Sequence, residues 1–200
     1  MSAMAARSET ETDKMPFIIG LGGSAAPTSS TEQALSLALR AAERRGARTK
    51  LHGGNAIASL PHYLTPGSKS SALARELVAD FRRADGLIIA SPGYHGTISA
   101  IVKNALEYFE DTSKDDRIYL DGVPVGLIAT AYGWQATGGT LVTLRSIVHA
   151  LRGFPTPLGA AINTSDQPFK DGECLDVSAA RQLTLVGDQV FEFARMKLAI

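Results

Sequence analysis

The sequence predicts an α/β fold in which a five-stranded parallel sheet carries helices on both faces. Three observations predict it. Short apolar runs alternate with segments whose apolar residues recur at helical spacing, and this alternation occurs five times along the chain. Parallel neighbours need such helical crossovers between them. The chain has 200 residues, 44% of them hydrophobic, which suits one domain with a sizeable core and is too few for two.

The elements follow in a regular order. Strands are predicted at the apolar runs 17–21, 49–52, 86–90, 123–130 and 158–162. Helices are predicted around residues 35–42, 73–81, 98–109, 141–151 and 183–194. Right-handed crossovers place every strand-to-helix loop at one edge of the sheet, the carboxyl ends of the strands. We therefore expect ligand-binding residues in the loops after the first, third and fourth strands.

The rest of the composition excludes several classes. Residues 1–15 are polar and acidic, lack the apolar core of a signal peptide, and are predicted to form a disordered tail before a folded domain at residues 16–200. No stretch approaches the ~20 apolar residues that cross a membrane, so we expect a cytoplasmic protein without a membrane partner. The 20 basic and 20 acidic residues cancel, which argues against nucleic acid as a partner. Cys174 is the only cysteine, which excludes an intrachain disulfide and a cysteine-built metal site.

The loop after the first strand, residues 22–31, has the composition of a phosphate-binding loop. It is rich in glycine and hydroxyl side chains, contains no lysine or arginine, and leads into a helix whose free N–H groups attract anions. Either Ser29 with Glu32 or Ser30 with Gln33 would form a capping box. The alternative is a simple Gly/Ser connector. A dinucleotide-binding fingerprint is disfavoured, because no acidic residue follows the second strand, and a Walker loop is absent.

The loops after the third and fourth strands are suited to lining a flat ring. Residues 91–97 contain Pro92, two glycines and Tyr94, so the loop offers exposed amides beside an aromatic surface. His95 is more typical of a backbone hydrogen-bonding residue than of a proton shuttle, and Thr97 or Ser99 is expected to cap the next helix. Residues 131–139 contain the only tryptophan, a tyrosine and three glycines. These aromatic residues would flank a ligand or lie in a subunit interface, and the sequence favours neither.

A family resemblance arises from the loop at residues 91–97 and the helix that follows it. The segments SPGYHGTI at residues 91–98 and KNALE at residues 103–107 resemble the Pro-x-Tyr-x-x-Ser … Lys-Asn-Ala-Leu-Asp signature of NADPH-dependent FMN reductases. The resemblance extends from residue 17 to about residue 195 and implies a flavodoxin-like three-layer sandwich. It also implies that FMN accepts a hydride from NADPH or NADH and reduces an acceptor such as free flavin, a quinone or a monooxygenase partner. The flavin would carry the chemistry, so no catalytic side chain and no metal are expected.

The resemblance also assigns the cofactor-binding residues. The phosphate of FMN would be held by Ser24, Ser29, Ser30 and Thr31. The isoalloxazine ring would be lined by Pro92, Gly93, Tyr94, His95 and Gly96, and covered by Tyr132 and Gly133. Lys103 and Asn104 would be structural. A homodimer or homotetramer is implied as well.

Two departures from the family pattern bear on these assignments. Many members carry an arginine in the first loop, near Ala25 and Ala26 of this chain, and many carry a glutamate where this chain has Gly93. Weaker retention of FMN and an altered nicotinamide position are the expected consequences. Two other functions stay open: a flavodoxin-like electron carrier that does not turn over nicotinamide, and a flavin-free regulatory protein on the same fold.

Overall fold

A computed structural model of the chain describes residues 15–200, so nearly all of the predicted tail lies outside the described residues. The strands are β1 Phe17–Gly22, β2 Arg48–His52, β3 Gly86–Tyr94, β4 Thr97–Ile98, β5 Pro124–Ala131, β6 Phe154–Asn163, β7 Phe169–Lys170 and β8 Glu173–Cys174. The α-helices are α1 Ser30–Arg44, α2 Gly54–Ala58, α3 Ala72–Arg83, α4 Ala100–Glu107, α5 Trp134–Ala150 and α6 Val177–Leu198. Two short 3₁₀ turns cover Ser68–Ser70 and Tyr108–Thr112.

Five parallel strands form the sheet in the order β2-β1-β3-β5-β6, which confirms the predicted fold class. The chain runs from β1 outward to β2 and then returns to β3 on the other side of β1. The strand order therefore reverses between β1 and β3, and the carboxyl ends of these strands border the crevice where open α/β sheets bind ligands. Two small additions accompany the sheet: β4 pairs antiparallel with β3, and β7 pairs with β8 in a separate hairpin.

Both faces of the sheet are buried, which explains the continuous apolar runs in the sequence. Successive residues of one strand enter opposite layers: Ile18 and Ile88 pack against α1 and α6, whereas Ile19 and Ile89 pack against the layer of α3, α4 and α5. Each of these isoleucine side chains is almost completely buried, and burial of one such side chain stabilises the fold by about 1.5–3 kcal/mol. Asn104 is structural, as expected, since its side chain binds the backbone of Tyr63 and Pro61 at 2.9 and 3.0 Å.

The structure differs from the sequence prediction at the ends of two strands. Residues 91–94, predicted as loop, continue β3, because β5 remains paired with β3 as far as Pro92. Proline is tolerated there because the pairing of β1 with β3 ends at Ala90, which leaves one side of Pro92 without a partner strand. Likewise α5 begins at Trp134, so most of residues 131–139, predicted as the loop after the fourth strand, is helical. Ser99 precedes α4, yet neither its side chain nor that of Thr97 caps this helix.

Within residues 15–200, no helix is both long enough and apolar enough to cross a bilayer.

Candidate functional site at the carboxyl edge of the sheet

The first loop folds back onto the start of α1 through one serine. Ser29 is the N-cap residue, and its Oγ accepts hydrogen bonds from the N–H of Glu32 at 3.3 Å and from the N–H of Ser24 at 3.1 Å. The Ser24 hydroxyl also donates to Ser29 Oγ at 3.1 Å. Glu32 does not complete a capping box, because its carboxylate accepts from the N–H of Gly54 at 2.6 Å. The loop is therefore fixed at both of its ends.

The curled loop leaves several amide groups available. Within the described part of the chain, no group accepts a hydrogen bond from the N–H of Ala25, Ala26, Thr28 or Ser30. These donors stand beside the first turn of α1, whose dipole favours an anion at this end. The donor set fits a phosphate group that is bound through backbone amides and hydroxyls, as the sequence predicts.

Close backbone contacts hold this loop against the rest of the sheet. A Cβ atom added to Gly22 would lie 1.9 Å from the carbonyl oxygen of Ala90, and one added to Gly54 would lie 2.0 Å from that of Ser24. Glycine is therefore required at both positions. The loop rests directly on the carboxyl ends of β2 and β3.

Behind the end of β2 lies a buried charge network. His52 and Asp80 are almost fully buried, and His52 Nε2 lies 2.9 Å from Asp80 Oδ2. Lys50 Nζ lies 2.5 Å from the same carboxylate, and Arg83 pairs with its other oxygen. Burial lowers the pKa of His52, the charge of Lys50 lowers it further, and the contact with Asp80 offsets these effects only in part. The hydrogen bonds from Lys50 and Arg83 outweigh desolvation and lower the pKa of Asp80.

Thr31 does not face the groove with its hydroxyl. Its side chain is buried, and Thr31 Oγ1 shares a hydrogen bond of 2.6 Å with Thr130 Oγ1. Only the backbone N–H of Thr31 remains for a ligand. The hydroxyl pair instead joins the first turn of α1 to the carboxyl end of β5.

The β3–β4 hairpin presents an open, amide-rich turn. His95 and Gly96 both have positive φ angles, 48° and 89°, as in a type I′ turn between Tyr94 and Thr97. A Cβ atom on Gly96 would meet nothing within 4 Å, and Tyr94 is 48% exposed. The buried Ser91 hydroxyl accepts from the N–H of Ser99 at 2.9 Å and so fixes the base of the hairpin.

Gly93 is constrained by packing. A Cβ atom there would lie 2.6 Å from Thr140 Oγ1 and 3.2 Å from the carbonyl oxygen of Ala136. The hairpin thus lies directly on α5. This contact explains why the chain has glycine at this position.

The turn between β5 and α5 completes the opening. Gly133 has a φ angle of 116°, and its N–H donates to Asn163 Oδ1 at 3.1 Å. The same oxygen accepts from the N–H of Ser165 at 3.1 Å, so Asn163 fixes the ends of β5 and β6 relative to each other. The flanking aromatic residues Tyr132 and Trp134 are 82% and 65% exposed. The turn therefore offers both an aromatic surface and an open stretch of backbone against which a flat ring could lie.

A groove of about 660 Å³ lies at the carboxyl edge beside the first loop and Tyr132, and the β3–β4 hairpin is not part of its lining. Its walls are Thr28, Ser30 and Gln33 on one side, Tyr132 and Thr164 at the end, and residues 167–172 on the other side. A smaller cavity of about 240 Å³ adjoins the groove, with Thr28, Gln33 and Gly172 common to both linings, and is also lined by Ser24, Ser29, Glu32 and Arg40. The volume and the polar walls suit a phosphorylated ligand with a planar end.

The structure brings the predicted residues to one edge, with differences in what each one offers. Ser24 and Ser29 bind each other, Ser30 lines the groove, and Pro92 is buried within β3. Sequence patterns did not indicate that Gln33, Thr130, Asn163 and the β7–β8 hairpin lie at this edge. Asn163 directly follows the fifth predicted strand, so the rule that ligands bind at carboxyl ends would have found it.

Neither a second, larger cavity nor, among the described residues, a metal cluster competes with this groove. A cavity of about 730 Å³ lies beside α3 and the 3₁₀ turn Tyr108–Thr112, away from the carboxyl edge. Its charged groups are partly satisfied by each other, since Lys69 Nζ lies 3.3 Å from Asp111 and Tyr63 donates to Asp111 at 2.9 Å. Among the residues described, no group of three metal-ligating side chains occurs.

Comparison with known proteins agrees with this geometry. The family model described as NADPH-dependent FMN reductase matches residues 16–167. An FMN-dependent NADPH-azoreductase of Staphylococcus saprophyticus is 36% identical over 119 residues, which cover 57% of this chain and 58% of that protein. Its counterpart in Staphylococcus haemolyticus is 34% identical over 113 residues, covering 55% and 56%. The chain thus spans under two thirds of the length of these curated relatives.

Solved structures share the fold. An NADH:FMN oxidoreductase, EmoB in its apo form, superposes with a TM-score of 0.70 at 22% identity, covering 92% of this chain and 90% of that one. FerB, an NAD(P)H:acceptor oxidoreductase from Paracoccus denitrificans, superposes with a TM-score of 0.71 at 18% identity, covering 91% and 98%. At these identities the likeness shows the fold alone.

Proposed function

This chain belongs to the NADPH-dependent FMN reductase family, and on that premise we propose that it is an NAD(P)H-dependent FMN reductase whose cofactor lies in the groove at the carboxyl edge. The observation that carries the proposal is that free loop amides, an open hairpin turn and exposed aromatic residues all follow strands at the carboxyl edge of the sheet, with Thr28, Ser30 and Tyr132 lining the groove itself. Bound FMN would supply the redox chemistry by taking a hydride from a reduced nicotinamide and passing electrons to an acceptor.

The protein would contribute binding and orientation. The N–H groups of Ala25, Ala26, Thr28 and Ser30 and the hydroxyl of Ser30 would hold the phosphate. The amides of His95 and Gly96 would face the polar edge of the ring, and Gly133 would leave room above it, since a Cβ atom there meets nothing within 4 Å. Tyr132 would cover the apolar part of the ring. No side chain needs to transfer a proton, so His95 serves through its backbone.

The acceptor in this proposal is a planar oxidised molecule such as free flavin, a quinone or an azo compound. The two curated relatives are named azoreductases, and the aromatic side chains at the groove remain widely exposed in this chain. A flat acceptor would stack on them once the nicotinamide has left. We further propose that the chain forms a homo-oligomer with these aromatic residues near the subunit boundary, since tyrosine and tryptophan are enriched in interfaces. Light scattering that gave only a 21.1 kDa species would contradict this homo-oligomer.

The decisive experiment uses the single tryptophan. FMN titrated into the purified protein should quench the emission of Trp134, which lies beside Gly133, and should raise the melting temperature. Anaerobic NADPH should then bleach the flavin, and steady NADPH oxidation should follow when a quinone or azo dye is added. Bleaching without turnover would indicate an electron carrier instead. Unchanged emission and melting temperature at saturating FMN would indicate a flavin-free protein.

A further inference from the structure

The first loop lacks the cation that an anionic phosphate would attract. Residues 22–31 contain no lysine or arginine, and the carboxylate of Glu32 lines the cavity beside them. Arg40 also lines that smaller cavity, yet its guanidinium donates to the carbonyl oxygen of Gly172 at 3.0 Å. A side-chain cation for the phosphate, other than Arg40, would therefore come from another element.

The β7–β8 hairpin is held in place beside this loop by two side chains of α1. Gln33 Oε1 accepts from the N–H of Gly172 at 3.3 Å, and Arg40 binds the carbonyl of the same glycine. Gln33 also donates through Nε2 to the carbonyl oxygen of Thr28 at 3.2 Å. One side chain thus touches both the phosphate loop and the hairpin, which fixes the hairpin relative to the loop.

Lys170, the last residue of β7, is the cation that this arrangement brings to the groove. It lines the 660 Å³ groove together with Thr28 and Ser30 of the first loop. Within residues 15–200, no carboxylate forms an ion pair with Lys170. The neighbouring Asp171 lines the same groove and opposes it with a negative charge. The family model ends at residue 167, so this hairpin lies beyond the matched part of the chain.

We propose that Lys170 binds the phosphate of FMN across the groove and replaces the cation missing from the first loop. This inference rests on the proposed function, because it presumes that FMN occupies the groove. The ammonium group would add a charge-assisted hydrogen bond to a phosphate that the loop amides already hold. Since the site is open to solvent, its contribution would be that of a screened ion pair, about fivefold in the dissociation constant.

The test compares FMN with riboflavin, which has the same ring and no phosphate. Dissociation constants are measured by quenching of Trp134 for the protein and for K170Q, K170R, D171N and K114Q. Lys114 is an exposed lysine that lines the cavity beside α3 and serves as the matched control. We expect K170Q to bind FMN about fivefold more weakly with riboflavin binding unchanged, K170R to restore FMN binding, and D171N to bind FMN more tightly. High salt should reduce the difference between K170Q and the unaltered protein.

Three results would overturn the proposal. Equal binding of FMN by K170Q and K114Q would remove Lys170 from the phosphate site. An equal loss of FMN and riboflavin would show a structural effect of the substitution. A change confined to the KM for NADPH, with that for NADH unaltered, would assign Lys170 to the 2′-phosphate of the nicotinamide nucleotide. If no flavin bound to any variant, the proposed function itself would fail, which is distinguishable from all three.

Discussion

The hydroxyl oxygens of Thr31 and Thr130 lie 2.6 Å apart in the interior of the protein. The two residues are 99 positions apart in the sequence. Their hydrogen bond joins the second residue of α1 to the penultimate residue of β5. Thr130 is also the register partner of Pro92 in β3. The bond thus connects the segment proposed to bind phosphate with the two segments proposed to contact the ring.

Valine at either threonine should destabilise the protein. T31V or T130V leaves one buried hydroxyl unpaired, at a cost of about 1–3 kcal/mol in the free energy of unfolding. The double variant should cost less than the sum of the two, because no hydroxyl then remains unpaired. Urea denaturation of all four proteins measures this coupling. Additive costs would show that the two hydroxyls do not interact.

Alanine at Gly93 should displace α5. Its Cβ atom would lie 2.6 Å from Thr140 Oγ1, so we expect G93A to lose about 1–3 kcal/mol of stability through overpacking. Gly138 is the matched control, since it lies inside α5 and a Cβ atom there meets nothing within 4 Å. G138A should be neutral or gain about 0.5–1 kcal/mol. Thermal unfolding of both variants without FMN makes the comparison, and equal melting temperatures would contradict it.

The buried His52 should make stability depend on pH. Its pKa in the folded protein lies below the ordinary 6.5, so between these two values the unfolded chain binds more protons than the folded one. The free energy of unfolding should therefore fall as the pH drops below about 6.5, with a slope of at most about 1.4 kcal/mol per pH unit. The slope should vanish in H52N and persist in H62N, an exposed control. A separate loss should occur in acid, as Asp80, whose folded pKa is below 3.8, becomes protonated.

Removing the side chain of Asn163 should weaken the ring side of the groove. N163A deprives the N–H groups of Gly133 and Ser165 of their common acceptor, which should cost about 1–2 kcal/mol in stability. FMN and riboflavin should both bind more weakly and by the same factor, because the ring is common to them. N163D keeps an acceptor oxygen and should bind both flavins more tightly than N163A. A loss limited to FMN would place this turn at the phosphate instead.

The parallel sheet could be predicted from the sequence because a strand buried on both faces has a continuous run of apolar residues. Gly86–Leu87–Ile88–Ile89–Ala90 is apolar at every position, and no tertiary contact is needed to interpret it. The extension of β3 to Tyr94 could not be predicted in this way, since Pro92 and Gly93 are typical of loops. They belong to a strand because Pro92 pairs with β5 and Gly93 pairs with β4. The pairing of His52 with Asp80 was equally hidden, because it depends on the packing of α3 against β2.

Of the proposed site, the position and composition of the first loop could be predicted from the sequence. Of the two predicted caps, Ser29 and Ser30, it is Ser29 that caps α1, without the reciprocal contact from Glu32. The opposite wall of the groove, the β7–β8 hairpin, could not be predicted from the sequence. The strands β7 and β8 have two residues each, too few for any periodic pattern. Their position depends on contacts between Gly172 and α1, which join residues 132 and 139 positions apart.

The contacts of Gln33 set the width of the groove. Its amide binds Thr28 on one wall and Gly172 on the other, so the separation of the two walls corresponds to the reach of a single uncharged side chain. A molecule that forced the walls apart would have to break both bonds, at a cost of about 1 kcal/mol each. Under the proposed function, selection by size would therefore reside in a residue that takes no part in electron transfer, and slender phosphorylated tails would be admitted more readily than bulky ones.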